Sequence, residues 1–393
     1  MRYAIVTDTY PPEVNGVALT LQSYAEALRA RGHEVDIVRP ARPGERSGED
    51  ADGTLRVSGM QLPLYRALRF GLPSARRLRA RWAALRPDAV YVATEGLLGA
   101  SALRAARAAG IPTVTALHTR FDLYMEDYGL RLLQPAALAW MRRFHGGADA
   151  TIVATQALER WLHAQGVAHA ITLSRAVDCA RFDPAHRDPA LRAEWGIEGD
   201  GLVVIHLGRV AAEKNLGLAI RAFRALQQRH PDARMVFVGD GPLREPLQRA
   251  HPDILFVGTR RGRDLGRHLA SADLFLFPSR SETFGNVVLE AMASGVPQVA
   301  FALGAAVEHL CDGRHGACVD GDDEAFIAAA LRLADDPRAR RRMALAGREA
   351  MLRLAPVQVA AELDALLAGA GARKRTGAAD CFAEEPGHAR PAA

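Results

Sequence analysis

Two carboxylates, Glu282 and Glu290, stand eight residues apart in Ser279-Arg-Ser-Glu-Thr-Phe-Gly-Asn-Val-Val-Leu-Glu290, and Ala-Met-Ala-Ser-Gly-Val-Pro297 follows them. The apolar run Leu274-Phe-Leu-Phe-Pro278 ahead of them reads as a buried strand, and the residues after Gly285 read as a helix. A strand, a loop with Ser and Gly, and then a helix present backbone N–H groups to an anion. Carboxylates beside such a site accept hydrogen bonds from hydroxyls. The pair therefore suits a polyol attached to a phosphate, of which a nucleotide-sugar is one example. Two carboxylates at this spacing also occur by chance, so the pair alone does not choose among phosphate sites.

Two further glycine turns follow strands in the same half of the chain. Gly208-Arg-Val-Ala-Ala-Glu-Lys-Asn215 places Arg209 and Lys214 at a strand's carboxyl end, where open α/β sheets bind ligands. A forked guanidinium and a point-charge ammonium suit a diphosphate; solvated loop charges would explain this turn equally well by itself. Gly239-Asp-Gly-Pro-Leu-Arg244 begins like a dinucleotide-binding GxGxxG, but Arg244 stands at the third glycine and Pro242 lies in the turn. It reads as a helix-capping turn. Three turns at successive strand ends of one sheet make a converging site.

The elements that must hold these turns alternate. In the first half Tyr3–Thr7, His33–Arg39, Ala89–Ala93, Thr113–Leu117 and Ala150–Ala154 read as strands, with Ala18–Ala30 and other helices between them. The pattern restarts near residue 201, with strands at Leu202–Leu207, Arg234–Val238, Ile254–Val257, Asp273–Phe277 and Gln298–Phe301. Apolar strands separated by helices imply parallel sheets covered on both faces. The fold class is α/β with two Rossmann-like domains. The expected organisation is a first Rossmann-like domain over 1–183, a second over 184–355, a crossover helix over 356–368 and a disordered tail over 369–393.

The chain has 393 residues, 49% of them hydrophobic and 24% charged, with a formal charge of +5. No apolar run approaches the roughly 20 residues that span a bilayer. Met1-Arg-Tyr-Ala-Ile-Val-Thr-Asp8 lacks the features of a signal peptide. Four scattered cysteines make no disulfide framework, and the cytoplasm is the expected compartment. Between Asp52 and Asp88 there is no acidic residue, whereas arginines recur at 56, 66, 69, 76, 77, 79, 81 and 86. Leu78, Trp82 and Leu85 put an apolar face on one helix there. Segment 66–86 reads either as a peripheral contact with anionic membrane or as a solvated basic face. Aromatics are not interleaved with the arginines, which argues against nucleic acid. Asp320-Gly-Asp322 reads as a turn with helix-capping carboxylates. His309, Cys311, His315 and Cys318 have only a loose zinc-like spacing. No metal and no cofactor are expected.

Taken together, Gly-Arg-x3-Glu-Lys-Asn, Gly-x-Gly-Pro and Glu-x-Phe-Gly-x4-Glu-Ala-Met-Ala-x-Gly-x-Pro resemble the family 4 retaining glycosyltransferases, which have the GT-B fold of two Rossmann-like domains facing across a cleft. The resemblance spans roughly residues 1–350. It implies that Arg209 and Lys214 neutralise the donor diphosphate and leaving group, that Glu282 serves the sugar hydroxyls or the reacting centre, and that Glu290 takes the ribose hydroxyls. It also places Gly208, Gly239 and the backbone around Phe284, Gly285 and Asn286 at sugar and phosphate, and Gly258 and Arg260 at the base. Asp8-Thr-Tyr-Pro-Pro-Glu-Val-Asn-Gly-Val-Ala18 resembles the family's amino-terminal loop, with Asn15 and Gly16 near donor phosphate and acceptor. His118 would lie beside the reacting centre, with Tyr124 and Tyr128 on the acceptor side. Ala93-Thr-Glu-Gly-Leu-Leu-Gly99 and Ser174-Arg-Ala-Val-Asp178 resemble the subgroup that transfers mannose from GDP-mannose, or related sugars, to glycolipids. Arg175 and Asp178 would line the cleft.

Three places depart from the pattern of many family members: Val17 replaces the second glycine of the amino-terminal loop, as in the lipid-mannosylating subgroup, and two others follow. Ala176 stands where Gly is usual, and Leu303-Gly-Ala-Ala-Val-Glu-His309 replaces the usual Gly-Gly before Glu near the edge of the donor sugar. The implied function is transfer of a hexose, mannose from GDP-mannose first, to a lipid or glycan acceptor, without metal. UDP-glucose, UDP-galactose or UDP-sulfoquinovose donors stay open. So do two readings from other classes, an NAD-dependent two-Rossmann enzyme and a non-catalytic nucleotide-sugar binder.

Overall fold

The computed structural model describes residues 1–13, 15–50, 53–62, 65–118, 120, 134–197 and 199–376. In the amino-terminal half the elements are β1 (Arg2–Val6), α1 (Gly16–Ala30), β2 (Glu34–Pro40), β3 (Gly48–Glu49), β4 (Leu55–Val57), β5 (Gly59–Leu62), β6 (Tyr65–Gly71), α2 (Ala75–Leu85), β7 (Ala89–Val92), α3 (Leu97–Ala108), β8 (Thr113–Leu117), α4 (Gln134–His145), β9 (Ala150–Val153), α5 (Gln156–Ala164) and β10 (Ala170–Thr172). The sheet order is β10-β9-β8-β7-β1-β2-β4-β3. Every pairing in it is parallel except the short β3, which runs against β4. Strands β1, β7, β8 and β9 are buried on both faces, so they read as unbroken apolar runs.

The second half contains α6 (Pro189–Glu194), β11 (Val203–Leu207), α7 (Leu216–Gln227), β12 (Arg234–Val238), α8 (Arg244–Ala250), β13 (Leu255–Gly258), α9 (Gly262–Ala270), β14 (Leu274–Phe277), α10 (Asn286–Ala293), β15 (Gln298–Phe301), α11 (Ala305–His309), β16 (Gly316–Val319), α12 (Asp323–Asp335), α13 (Pro337–Leu352) and α14 (Pro356–Thr376). Its six-stranded parallel sheet has the order β13-β12-β11-β14-β15-β16. The strand order reverses beside β11, between β12 and β14. A crevice at the carboxyl ends of the strands opens at such a switch point.

Helix α14 packs on α1, β7 and β8, so the last helix returns to the first sheet. Val359, Leu363, Leu367 and Ala370 join the core of Tyr3, Leu21 and Tyr91. Asp364 fastens it: Tyr3 Oη donates to its carboxylate at 2.6 Å, and Arg31 pairs with it at 3.2 Å. Asp364→Ala removes the acceptor from a buried phenol, and a lost partner of this kind costs roughly 1–3 kcal/mol. A lowered urea midpoint is the expected result, and an unchanged one would dissociate this contact from helix docking.

Three differences from the sequence expectation have physical causes. Strands β5 and β6 pair antiparallel, a pairing that the pattern does not announce, because Pro63 and the interspersed arginines break the alternation in the sequence. Asp8 holds it from afar, accepting from the Gly71 N–H at 2.7 Å and from the Thr94 hydroxyl at 2.8 Å. The final helix runs to Thr376, past the expected start of the tail at 369, because Ala370 is buried against the first domain; residues 377–393 lie outside the described residues. In the arginine segment, Leu78 and Trp82 are buried and Leu85 is half-buried. Arg81 turns back to pair with Asp36 at 2.7 Å. Arg76, Arg77, Arg79 and Arg86 are exposed.

Candidate active site

The donor-side turns sit at the carboxyl ends of β11, β12 and β13. Their first glycines serve packing. A Cβ on Gly239 would lie 1.8 Å from the Gly208 carbonyl oxygen, so the two turns abut only without a side chain there. The Gly208 N–H is bonded to Val238 O and the Gly239 N–H to Gly258 O, each at 3.0 Å. These amides are therefore committed to the sheet. Gly258 closes the same ladder through its carbonyl. Arg260 lies beyond it, 3.6 Å from Asp264.

Arg209 projects into solvent, 57% exposed and 3.4 Å from Glu213. Lys214 points the other way, and its ammonium donates to Glu282. Asn215, left-handed at φ 50°, sends its side-chain amide to Pro278 O at 3.3 Å. That bond ties the Arg209–Lys214 turn to the Glu282 loop. Gly285 adopts φ 88° and ends the loop where α10 begins, with the Phe277 ring beneath it. Phe284 is buried, so its ring packs rather than faces a ligand, and its carbonyl accepts from Ala305 N–H at 2.6 Å. Glu290 is half-buried on α10, and among the described residues nothing donates a hydrogen bond to it. Burial pushes its carboxyl up to about 7, with Arg181 pulling weakly the other way.

On the facing domain Asn15 caps α1: its carbonyl accepts from Ala18 N–H at 2.9 Å and its amide donates to Thr9 Oγ1 at 2.7 Å. Gly16 then opens the helix toward the other domain, since a Cβ there would lie 3.4 Å from the Asn286 amide and 3.8 Å from Arg175 Nη1. Arg175 Nη1 donates to Asn286 Oδ1 at 3.1 Å. His118 follows β8, with its Nδ1 3.3 Å from Arg175 Nη2 and its Nε2 3.2 Å from Tyr91 Oη. Burial first, and then the charge of Arg175, hold the His118 imidazole well below its usual range. Both ring nitrogens therefore have partners within the protein. The Asp178 carboxylate accepts from Ala180 and Arg181 N–H at 3.1 and 3.0 Å in a local turn. Tyr124 and Tyr128 lie outside the described residues.

The 303–309 segment spans the two domains. Glu308 accepts from Gln156 N–H at the start of α5 at 2.8 Å, and His309 Nε2 lies 3.1 Å from Ser174 Oγ. Asp322 caps α12, its carboxylate accepting from Ala325 N–H at 2.9 Å. His315 Nδ1 lies 2.9 Å from a main-chain carbonyl, that of His309. Sequence reasoning missed Tyr91, Asn215, Arg181 and the Glu308 contact. Of these, Asn215 alone carried a signal, since it ends the Glu-Lys-Asn motif. No helix among the described residues is long and apolar enough to cross a membrane.

At the cleft between the domains Asn286, the first residue of α10, meets Gly16 and Arg175, Arg175 reaches His118, and Lys214 pairs with Glu282 on the second domain. Such a cleft offers cations, a helix start and hydroxyl acceptors to one ligand. The chain matches two family models, Glycosyltransferase Family 4 over residues 14–181 and Glycosyl transferases group 1 over residues 201–336. It is 37% identical over 308 residues to a GDP-mannose-dependent alpha-mannosyltransferase of Mycobacterium tuberculosis, covering 76% of this chain and 79% of that one. It is 36% identical over 360 residues to the protein of the same description in Mycolicibacterium smegmatis, covering 90% and 93%. In fold it is similar to sucrose-phosphate synthase from Thermosynechococcus elongatus, at TM-score 0.75 and 19% identity, over 93% of this chain and 98% of that one.

Proposed function

The chain belongs to glycosyltransferase family 4 and is a retaining hexosyltransferase of GT-B fold, and on that premise we propose that it moves mannose from GDP-mannose to a lipid or glycan hydroxyl. The observation that carries the donor assignment is the 36% identity to a GDP-mannose-dependent alpha-mannosyltransferase over 93% of that relative. The donor lies along β11–β14 and α10, and the acceptor enters from the side of Gly16 and His118. Arg209 swings from Glu213 onto the diphosphate, and Lys214 leaves Glu282 to meet it. The negative charge that develops on the departing diphosphate is the largest in the reaction, so preorganised cations there do most for the rate. Glu282, released, accepts from sugar hydroxyls. Glu290 accepts from the ribose hydroxyls, which supply the hydrogen bonds it lacks. The exposed Arg76, Arg77 and Arg79 on α2 and Arg86 just after it face anionic lipid, where each basic residue contributes about 1 kcal/mol.

A thermal-shift series with GDP-, UDP-, ADP- and dTDP-sugars tests the donor. GDP-mannose at a hundred times its Kd is expected to stabilise the fold by about 2.7 kcal/mol, with the other donors well below it. A larger shift with a UDP-sugar would overturn the donor assignment. Absence of any shift, together with no transfer of label from any donor, would overturn the site.

A further inference from the structure

Arg175 places a guanidinium at the junction of the two domains with 6% of its surface exposed. The partners it holds are neutral. Nη1 donates to Asn286 Oδ1 at 3.1 Å, and Nη2 donates to His118 Nδ1 at 3.3 Å. Nε is buried without a hydrogen-bond partner, and the guanidinium carbon stands 5.0 Å from the centre of the buried Phe284 ring. A buried cation without an ion pair is costly unless its position serves something.

A guanidinium only donates hydrogen bonds. His118 Nδ1 must therefore be the acceptor, and the ring proton must sit on Nε2, which donates to Tyr91 Oη at 3.2 Å. An imidazolium at His118 would set an N–H against a guanidinium. We propose that Arg175 is a positioning residue that locks His118 in the neutral Nε2–H tautomer, and that its bond to Asn286 makes the lock depend on closure of the two domains. Arg175 comes from the loop after β10 in one domain, and Asn286 is the first residue of α10 in the other. Opening the cleft removes the acceptor of Nη1, and the guanidinium is then free to leave His118. Among the described residues, the other groups facing the ring are Tyr91 from β7 and His145 from α4, whose own ring lies 2.9 Å from Thr115 Oγ1 and 3.1 Å from Glu95 Oε1. Neither fixes Nδ1. The consequence for rate rests on the transferase reading above, whereas the tautomer does not.

The test is NMR of the full chain labelled with ¹⁵N-histidine. In the wild type, His118 is expected to show a bare Nδ1 and a protonated Nε2. Arg175→Met should average the two nitrogens toward a tautomer mixture and lower kcat about 10²-fold, the loss typical of a misplaced group beside the reacting centre. KM for the donor should stay within a few-fold, because Arg209, Lys214, Glu282 and Glu290 are untouched. Arg175→Lys, which still donates to Nδ1, should restore the tautomer and part of kcat. Asn286→Ala removes the interdomain half alone; partial averaging is expected, and it carries the test if Arg175→Met does not fold. A proton on Nδ1 in the wild type, or an unaltered His118 pattern in both variants, overturns the lock. A wild type that transfers no sugar overturns the functional reading and leaves the nitrogen signals as the measure of the lock.

Discussion

Lys214→Ala is expected to lower kcat by about 10²–10³-fold, the cost of removing one preorganised donor at a site of developing charge. The geometry makes this change worse than loss of a single cation. Lys214 pairs with Glu282 in the ligand-free cleft, and both groups are largely buried, with 19% and 11% of their side chains exposed. Without Lys214, the Glu282 carboxylate faces the donor diphosphate uncompensated, and like charges repel strongly in a partly desolvated site. The double variant Lys214→Ala/Glu282→Ala is therefore expected to lose less than the two single losses combined, since the residues share one interaction. Steady-state kinetics of the two single variants and the double variant check this. A Lys214→Ala enzyme within a few-fold of wild type would place the diphosphate elsewhere.

Glu290→Gln is expected to move stability and binding in opposite directions. Burial holds the Glu290 carboxyl at about 7 against a usual value of 4.5. A folded-state pKa above the unfolded one means that the fold favours the protonated form. This group's contribution is most favourable below about pH 4.5 and is lost as the pH rises through 7. The neutral amide avoids that cost. The ligand-free variant should thus melt higher than wild type at pH 8, by an amount on the order of 2 kcal/mol, with the gap closing toward pH 4. A nucleotide-sugar, whose phosphates do not titrate in this range, should bind the wild type more tightly as Glu290 ionises, because a carboxylate accepts ribose hydroxyls better than a carboxylic acid does. In the variant, binding should be weaker and flat with pH. Calorimetry with the intact donor at pH 5.5 and 8 separates the cases. Equal affinity of the two proteins at pH 8 would remove Glu290 from the ribose site.

Legibility in the sequence followed the range of the interactions. Thr113–Leu117, Arg234–Val238 and Gln298–Phe301 carry continuous apolar runs, and their bounds in the fold are those expected from pattern alone. The β5–β6 pairing depends on Asp8, 63 residues from Gly71, and no local pattern encodes such a contact. At the site, Lys214 and Glu282 were visible through their motifs, and the fold brings them together. Their mutual pairing was not visible, because it joins turns 68 residues apart. His118 was visible as a residue but not in its chemistry, because its nitrogens are claimed by Tyr91 and Arg175 at separations of 27 and 57. Asp178 was visible within its motif, whereas the local turn that its carboxylate closes with Ala180 and Arg181 N–H was not.

The return of α14 to the first sheet also bears on how the chain is made. Val359, Leu363, Leu367 and Ala370 complete a core that begins with Tyr3. Residues 189–352 hold every strand of the second sheet and the helices α6 to α13. On a ribosome the second domain can therefore close as soon as its own residues emerge. The first domain, synthesised earlier, must wait with the α14 side of its sheet uncovered until residues near 370 appear. The domain that starts first finishes last, and that waiting apolar face is where a nascent-chain chaperone is expected to bind.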